Sequence, residues 1–279
     1  MRIKVLSDST CDLSAELLEA HNITCIPLFV MKGNEEFRDG VTIQPADIFA
    51  HVAAGGDLCS TAALSIAIYG EEFAKYAKEY DGIIHINIGS GFSSSYQNAC
   101  LAAEEFDNVR VIDSMNLSTG QGLVVLKACE LAESGMDLDE IVKELNAFTK
   151  RVEASFVLDQ LAYMVKGGRC SSAAALGANL LNLKPCIEVR DGKMVVVKKY
   201  RGNLTKCLVS YTKDRLLDRD DLDYGTVFVT NTPVADEARN AVLEIVNAQP
   251  FRNVYKTDAG CTVSCHCGPG TLGVLFVRK

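Results

Sequence analysis

Ile83-Ile84-His85-Ile86-Asn87-Ile88-Gly89-Ser90-Gly91-Phe92-Ser93-Ser94 is the stretch on which the fold turns. A run this rich in isoleucine predicts a strand covered on both faces, since a half-exposed strand would alternate apolar with polar residues. Gly89 and Gly91 permit a tight turn, and serines such as Ser93 start helices by accepting backbone N–H bonds. Buried strand, glycine turn and helix are the opening of a βαβ unit, which belongs to a parallel sheet.

The same rhythm continues on either side. Residues 2–6 read as a strand and 13–20 as a helix capped by Asp12 or Ser14. Residues 23–30 read as the next strand, and Pro45 opens another helix in its first turn. Helical spacing follows over 69–80, 94–106, 120–134 and 138–151, with a strand at 109–112. Beyond residue 150 the pattern changes. Strands at 155–158, 227–230 and 272–277 accompany a helical turn at 161–165, a small-residue helix at 173–181 and a helix at 235–247. Asp191-Gly192, a strong turn dipeptide, joins 185–189 to 193–198 as a hairpin. The expected architecture is α/β: a parallel-sheet α/β domain over 1–150 and an α+β domain over 151–279. The segment near 60–80 is free to pack with the second domain.

Composition narrows the function. The 279 residues carry 28 basic and 36 acidic side chains, a net charge of −8, which argues against nucleic-acid binding. At 48% hydrophobic and 23% charged the chain has a globular composition, without an apolar run long enough to span a membrane. Arg2–Leu6 meets Ser7-Asp8-Ser9 too early for a secretory signal, so a cytoplasmic location is expected. Eleven cysteines, an odd number in a long chain without an export signal, argue for free thiols. In Cys261-Thr262-Val263-Ser264-Cys265-His266-Cys267, an extended reading turns His266 away from both neighbouring cysteines, so no zinc site is expected.

Gly89-Ser90-Gly91-Phe92-Ser93-Ser94 imitates the dinucleotide motif G-x-G-x-x-G, and Asp113 falls where a ribose-binding acid would stand. The third glycine is Ser94, however, and four hydroxyls crowd the turn. Backbone amides at a helix start, with those hydroxyls, suit a small carboxylate or phosphate better than a pyrophosphate. Helix capping by Ser93 is the plain alternative. Asp8 and Asp113, at strand ends, are expected to cap local backbone.

An ordered set of motifs extends over essentially the whole chain: Val5-Leu6-Ser7-Asp8-Ser9-Thr10-Cys11-Asp12-Leu13, Ile26-Pro27-Leu28, Phe37-Arg38-Asp39-Gly40, and Phe92-Ser93 with Tyr96-Gln97. It continues through Gly167-Gly168-Arg169, Leu183-Lys184-Pro185, Lys199-Tyr200-Arg201-Gly202 and His266-Cys267-Gly268-Pro269-Gly270-Thr271-Leu272-Gly273. This set resembles the DegV family of fatty-acid-binding proteins. The resemblance implies a long-chain fatty acid buried between two domains, with its carboxylate at Thr61, Ser93 and His266 and with Ser94 and Gly268 close by. It implies no cofactor and no metal, and a carrier that presents the acid to an ATP-dependent fatty acid kinase for acyl-phosphate formation. Two segments depart from the family pattern. Its Thr-Ser-Gln-Pro is here Thr61-Ala62-Ala63-Leu64, and its Leu-Ser-Gly-Thr is Phe92-Ser93-Ser94-Ser95; both keep the carboxylate-binding hydroxyl. Arg169, after two glycines, is expected at the pocket mouth, facing phosphate or the partner. The rival reading is a serine hydrolase acting on acyl esters, with Ser93 as nucleophile and His266 as base. Against it, the second glycine of G-x-S-x-G is missing.

Overall fold

In the computed structural model, which describes residues 1–176 and 183–279, the isoleucine run is the centre of a sheet. The first half of the chain forms β1 (Ile3–Asp8), α1 (Ala15–Ala20), β2 (Thr24–Ile26), β3 (Phe29–Lys32), β4 (Glu35–Arg38) and α2 (Pro45–Ala53). It continues with β5 (Ser60–Ala62), α3 (Ile66–Ala77), β6 (Gly82–Asn87), α4 (Ser95–Ala103), β7 (Val109–Asp113), α5 (Ser118–Glu133) and α6 (Leu138–Phe148). The second half comprises β8 (Val152–Val157), α7 (Leu161–Gly167), α8 (Ser171–Ala174), β9 (Leu183–Arg190), β10 (Lys193–Arg201) and α9 (Leu204–Leu216). It ends with β11 (Leu222–Asn231), α10 (Asp236–Asn247), β12 (Asn253–Asp258), α11 (Cys261–Cys267) and β13 (Leu272–Arg278).

Strands β2-β1-β6-β7 make a wholly parallel sheet. Every residue of β6 is buried because helices cover both faces. Ile83 joins Tyr69, Phe73, Ala99 and Ala102 of α3 and α4, whereas Ile84 and Ile86 point to Leu123, Val124 and Val125 of α5. The second sheet, β10-β9-β8-β13-β11-β12, is mixed: only β11 and β12 run parallel. Helix α5 lies between the two sheets, packed on β1 and β6 on one side and on β8, β11 and β13 on the other. That position explains why the first half of α5, Ser118–Val125, is buried all round, while Lys127, Glu130 and Glu133 make a polar stripe only in its second half. The fold class is the expected α/β, a parallel sheet followed by a mixed one.

Several boundaries differ from the sequence reading. Residues 23–30 do not form one strand. β2 stops before Pro27, whose ring cannot donate to a ladder, and the chain leaves for a small antiparallel sheet, β4-β3-β5. Ser14, not Asp12, caps α1, with Oγ accepting from Leu17 N. The helix expected over 173–181 is described only as α8, and 177–182 lie outside the described residues. β4, β5, α9 and β12 were not legible.

The largest correction is α11. Residues 261–267 were expected to be extended, and they are helical. Three cysteines and two β-branched residues are weak helix formers. The helix is held instead by a distant carboxylate at its positive end, where Asp39 accepts from Cys261 N (2.8 Å) and Thr262 N (3.0 Å). Asp12 accepts from Gly260 N (2.8 Å), directly before the helix. Gly268, at φ +69°, ends it.

Candidate ligand-binding site

A cavity of about 120 Å³ opens where α11 meets β5 and the turn after β6. Thr61, Ser93, Ser94, Arg169 and His266 all line it, together with Leu28, Ile88, Phe92, Leu117, Met164, Met194 and Cys267. These residues come from distant parts of the chain, so no local pattern could display the site. Thr61 arrives on β5 through its pairing with Val30 of β3, and His266 faces it from the last turn of α11.

His266 Nε2 and Thr61 Oγ1 are 2.8 Å apart. Burial pushes the His266 pKa down to about 4, and the nearby Arg169 cation adds to the shift, so the ring is neutral near pH 7. His266 Nδ1 is buried with no partner among the described residues. An unpaired acceptor costs less than an unpaired N–H, so the proton belongs on Nε2, donating to Thr61 Oγ1. In that tautomer the Thr61 hydroxyl hydrogen is free to donate into the cavity.

Ser93 behaves partly as a cap: Oγ accepts from Ser95 N (3.2 Å) and donates to Ser95 Oγ (2.9 Å). Because a hydroxyl rotates at little cost, Ser93 can turn its hydrogen to an anion while still accepting from Ser95 N. Arg169 is exposed at the mouth. Its Nη1 donates to Gly167 O (2.6 Å) and its Nε to Phe92 O (3.3 Å), which ties α7 to the serine turn. Cys267, raised to about 12 by burial, is a neutral thiol and serves as apolar wall. Gly268 does not line the cavity. A side chain there would strike the Tyr163 ring, with the nearest atom 2.5 Å away.

The dinucleotide-like turn has another use. A Cβ on Gly91 would sit 2.2 Å from Gly192 O in the β9–β10 hairpin, and one on Gly89 would crowd the Met115–Asn116 backbone. Both glycines admit other parts of this chain. Asp113 Oδ1 accepts from Ser90 N (3.1 Å) and Met115 N (2.8 Å), so it braces the turn rather than facing a ribose. Asp8, fully buried, accepts from Ile88 N (2.7 Å), Thr10 N (3.1 Å) and Gln121 Nε2 (3.0 Å), joining β1 to β6. Among the described residues no group of three or more His, Cys, Asp and Glu side chains is placed to hold a metal. None of the described helices is long and apolar enough to cross a membrane.

Three kinds of likeness accompany this geometry. A family model described as an uncharacterised protein of the DegV family matches residues 2–279. A DegV domain-containing protein of Clostridium perfringens is 31% identical over all of this chain and 99% of its own length. A solved structure from Thermus thermophilus, described as fatty acid binding of a DegV family protein, superposes with a TM-score of 0.90 at 28% identity over the whole of both chains. The structure of Bacillus subtilis DegV, described as a fatty acid binding protein, superposes at 0.86 with 30% identity, again over the whole of both.

Proposed function

The chain belongs to the DegV family, and we propose that its cavity binds one long-chain fatty acid, head group at Thr61, Ser93 and His266. The observation that carries this reading is the pairing of hydroxyl donors with an apolar interior in one cavity. A carboxylate taken out of water needs donors, because leaving it unpaired costs several kcal/mol. Thr61 and Ser93 supply them. The tail gains about 0.8 kcal/mol per buried CH₂. Met164 and Met194, unbranched and adaptable, let the wall reshape around a chain. The relatives from T. thermophilus and B. subtilis, described as binding fatty acids, support the same ligand.

The protein acts as a carrier rather than a catalyst. Its exposed Arg169 faces a phosphate or an acidic surface on an ATP-dependent fatty acid kinase that forms the acyl phosphate. A guanidinium at the rim, always charged and rich in donors, suits that role. The parts before and after residue 150 are two domains that enclose the ligand between them. The hydrolase alternative finds no support in the geometry: among the described residues Ser93 and His266 share no hydrogen bond, and no carboxylate orients His266 Nδ1.

One experiment tests both levels. Organic extraction and mass spectrometry of the purified protein should yield about one C14–C18 acid per chain. Arg169→Ala should keep that acid yet support much slower acyl-phosphate formation with kinase and ATP. A nucleotide in the extract would overturn the ligand. An empty Arg169→Ala protein, phosphorylated at the wild-type rate in its loaded fraction, would move Arg169 into the binding site.

A further inference from the structure

Thr262 lines the cavity, and its Oγ1 has no partner among the described residues although the residue is only 5% exposed. A threonine in a helix usually returns its hydroxyl to a carbonyl three or four residues back. That outlet is poor here. The residues three and four back precede α11; Ala259 O accepts from Ser264 Oγ (3.3 Å), and Thr262 Oγ1 reaches neither carbonyl. Backbone N of Thr262 is satisfied by Asp39, so the hydroxyl alone is left over. Burying a hydroxyl without a partner is costly, and a ligand oxygen would remove that cost.

Its position defines what that ligand group would be. Thr262 and His266 are four residues apart and share the cavity face of α11, just over one turn or about 6 Å from each other along the axis. Leu117, Val263 and Cys267 also line a second, smaller cavity of about 20 Å³ that reaches Ala259 and Asn231. A chain held by its carboxylate beside Thr61 and His266, and following the α11 face of the cavity, would pass Thr262. An extended carbon chain advances ~1.2 Å per bond, so one helical turn corresponds to four or five bonds, shortened by the reach of a hydrogen bond.

We propose that Thr262 recognises a hydroxyl on carbon 3, 4 or 5 of the acyl chain, counting the carboxyl carbon as 1, so that the preferred ligands are hydroxy fatty acids. The inference rests on the fatty-acid reading above and adds a substrate class to it. Thr262 Oγ1 both donates and accepts, and a ligand hydroxyl can do the same, so the pair satisfies itself inside an otherwise apolar stretch. A plain alkyl chain leaves Thr262 unpaired.

Delipidated protein titrated with hexadecanoic, 3-hydroxyhexadecanoic and 5-hydroxyhexadecanoic acids, each competing with a fluorescent fatty acid, tests the assignment. For wild type, one of the hydroxy acids should bind about tenfold tighter than hexadecanoic acid. Thr262→Val, which keeps shape and loses the hydroxyl, should bring the acids level, and Thr262→Ser should restore the preference. If neither hydroxy acid outbinds hexadecanoic acid in wild type, or if the preference survives in Thr262→Val, the proposal is overturned while the fatty-acid reading stands. If wild type binds none of the three acids, both fall together. The wild-type titrations alone decide the matter should Thr262→Val not fold.

Discussion

β6 and α11 are both buried along nearly their whole length, yet they take their conformations from opposite sources. In β6, Ile84 and Ile86 face the α5 layer while Ile83 and His85 face the α3–α4 layer, so the residues that make the strand also make its packing. In α11 the residues have little helical tendency of their own, and the helix forms because Asp12 and Asp39 come to its first turn from more than 200 positions away. The cavity that holds the candidate site is built on the second kind of element. Residues freed from having to specify their own helix can be chosen for the pocket: His266, Thr262 and a neutral Cys267.

That contrast has consequences of different size. The largest concerns Asp39, whose carboxylate accepts from Cys261 N, Thr262 N and Ser9 Oγ (2.9 Å). Hydrogen bonds to a charged group contribute about 1.5–3 kcal/mol each, so Asp39→Ala should cost about 5 kcal/mol in urea denaturation. It should also empty the cavity, as read by lipid extraction. Next comes Ile84→Ala in β6, a large-to-small change at a fully buried site worth about 4 kcal/mol. It should leave the folded protein with its full complement of ligand. The contrast breaks if Ile84→Ala empties the pocket while Asp39→Ala leaves it full.

A smaller effect sharpens the picture through pH. The His266 pKa is lowered to about 4 by burial and by Arg169, against about 6.5 in the unfolded chain. Between these values the unfolded chain takes up a proton that the folded protein refuses, so stability falls as pH drops from 6.5 to 4. His266→Gln should flatten this slope by up to roughly 3 kcal/mol over the window. His85, pushed down to about 3 by burial between Tyr69 and Phe73, keeps its own share in both proteins. An unchanged slope in denaturation series at pH 4.5, 5.5 and 6.5 would place His266 in a solvated setting.

Legibility in the sequence followed the same division. The parallel sheet, the βαβ order, α5 and the β9–β10 hairpin could be read because their signals are local: isoleucine runs, helical spacing and Asp191-Gly192 with positive φ at both residues. The candidate residues of the site came from resemblance to a family, not from spacing, and five of the six line one cavity. What stayed hidden depended on long-range contacts. Nothing between residues 261 and 267 announces that Asp39 will cap them, and nothing in Ser60–Ala62 announces a third strand until Val30 is beside it. Gly268 carried a signal for close approach, but the approaching group is the Tyr163 ring of the protein itself.

In the proposed complex a fatty-acid carboxylate is held, dehydrated and ionised, by hydroxyl donors from β5 and the serine turn, with His266 of α11 orienting the Thr61 hydroxyl. Carbon-13 NMR of carboxyl-labelled hexadecanoic acid bound to delipidated protein tests it most directly. The expected result is one bound resonance per chain whose shift stays constant from pH 5 to pH 8, and which moves in Thr61→Val and in Ser93→Ala. A bound resonance that titrates like the free acid and ignores both substitutions would contradict the account.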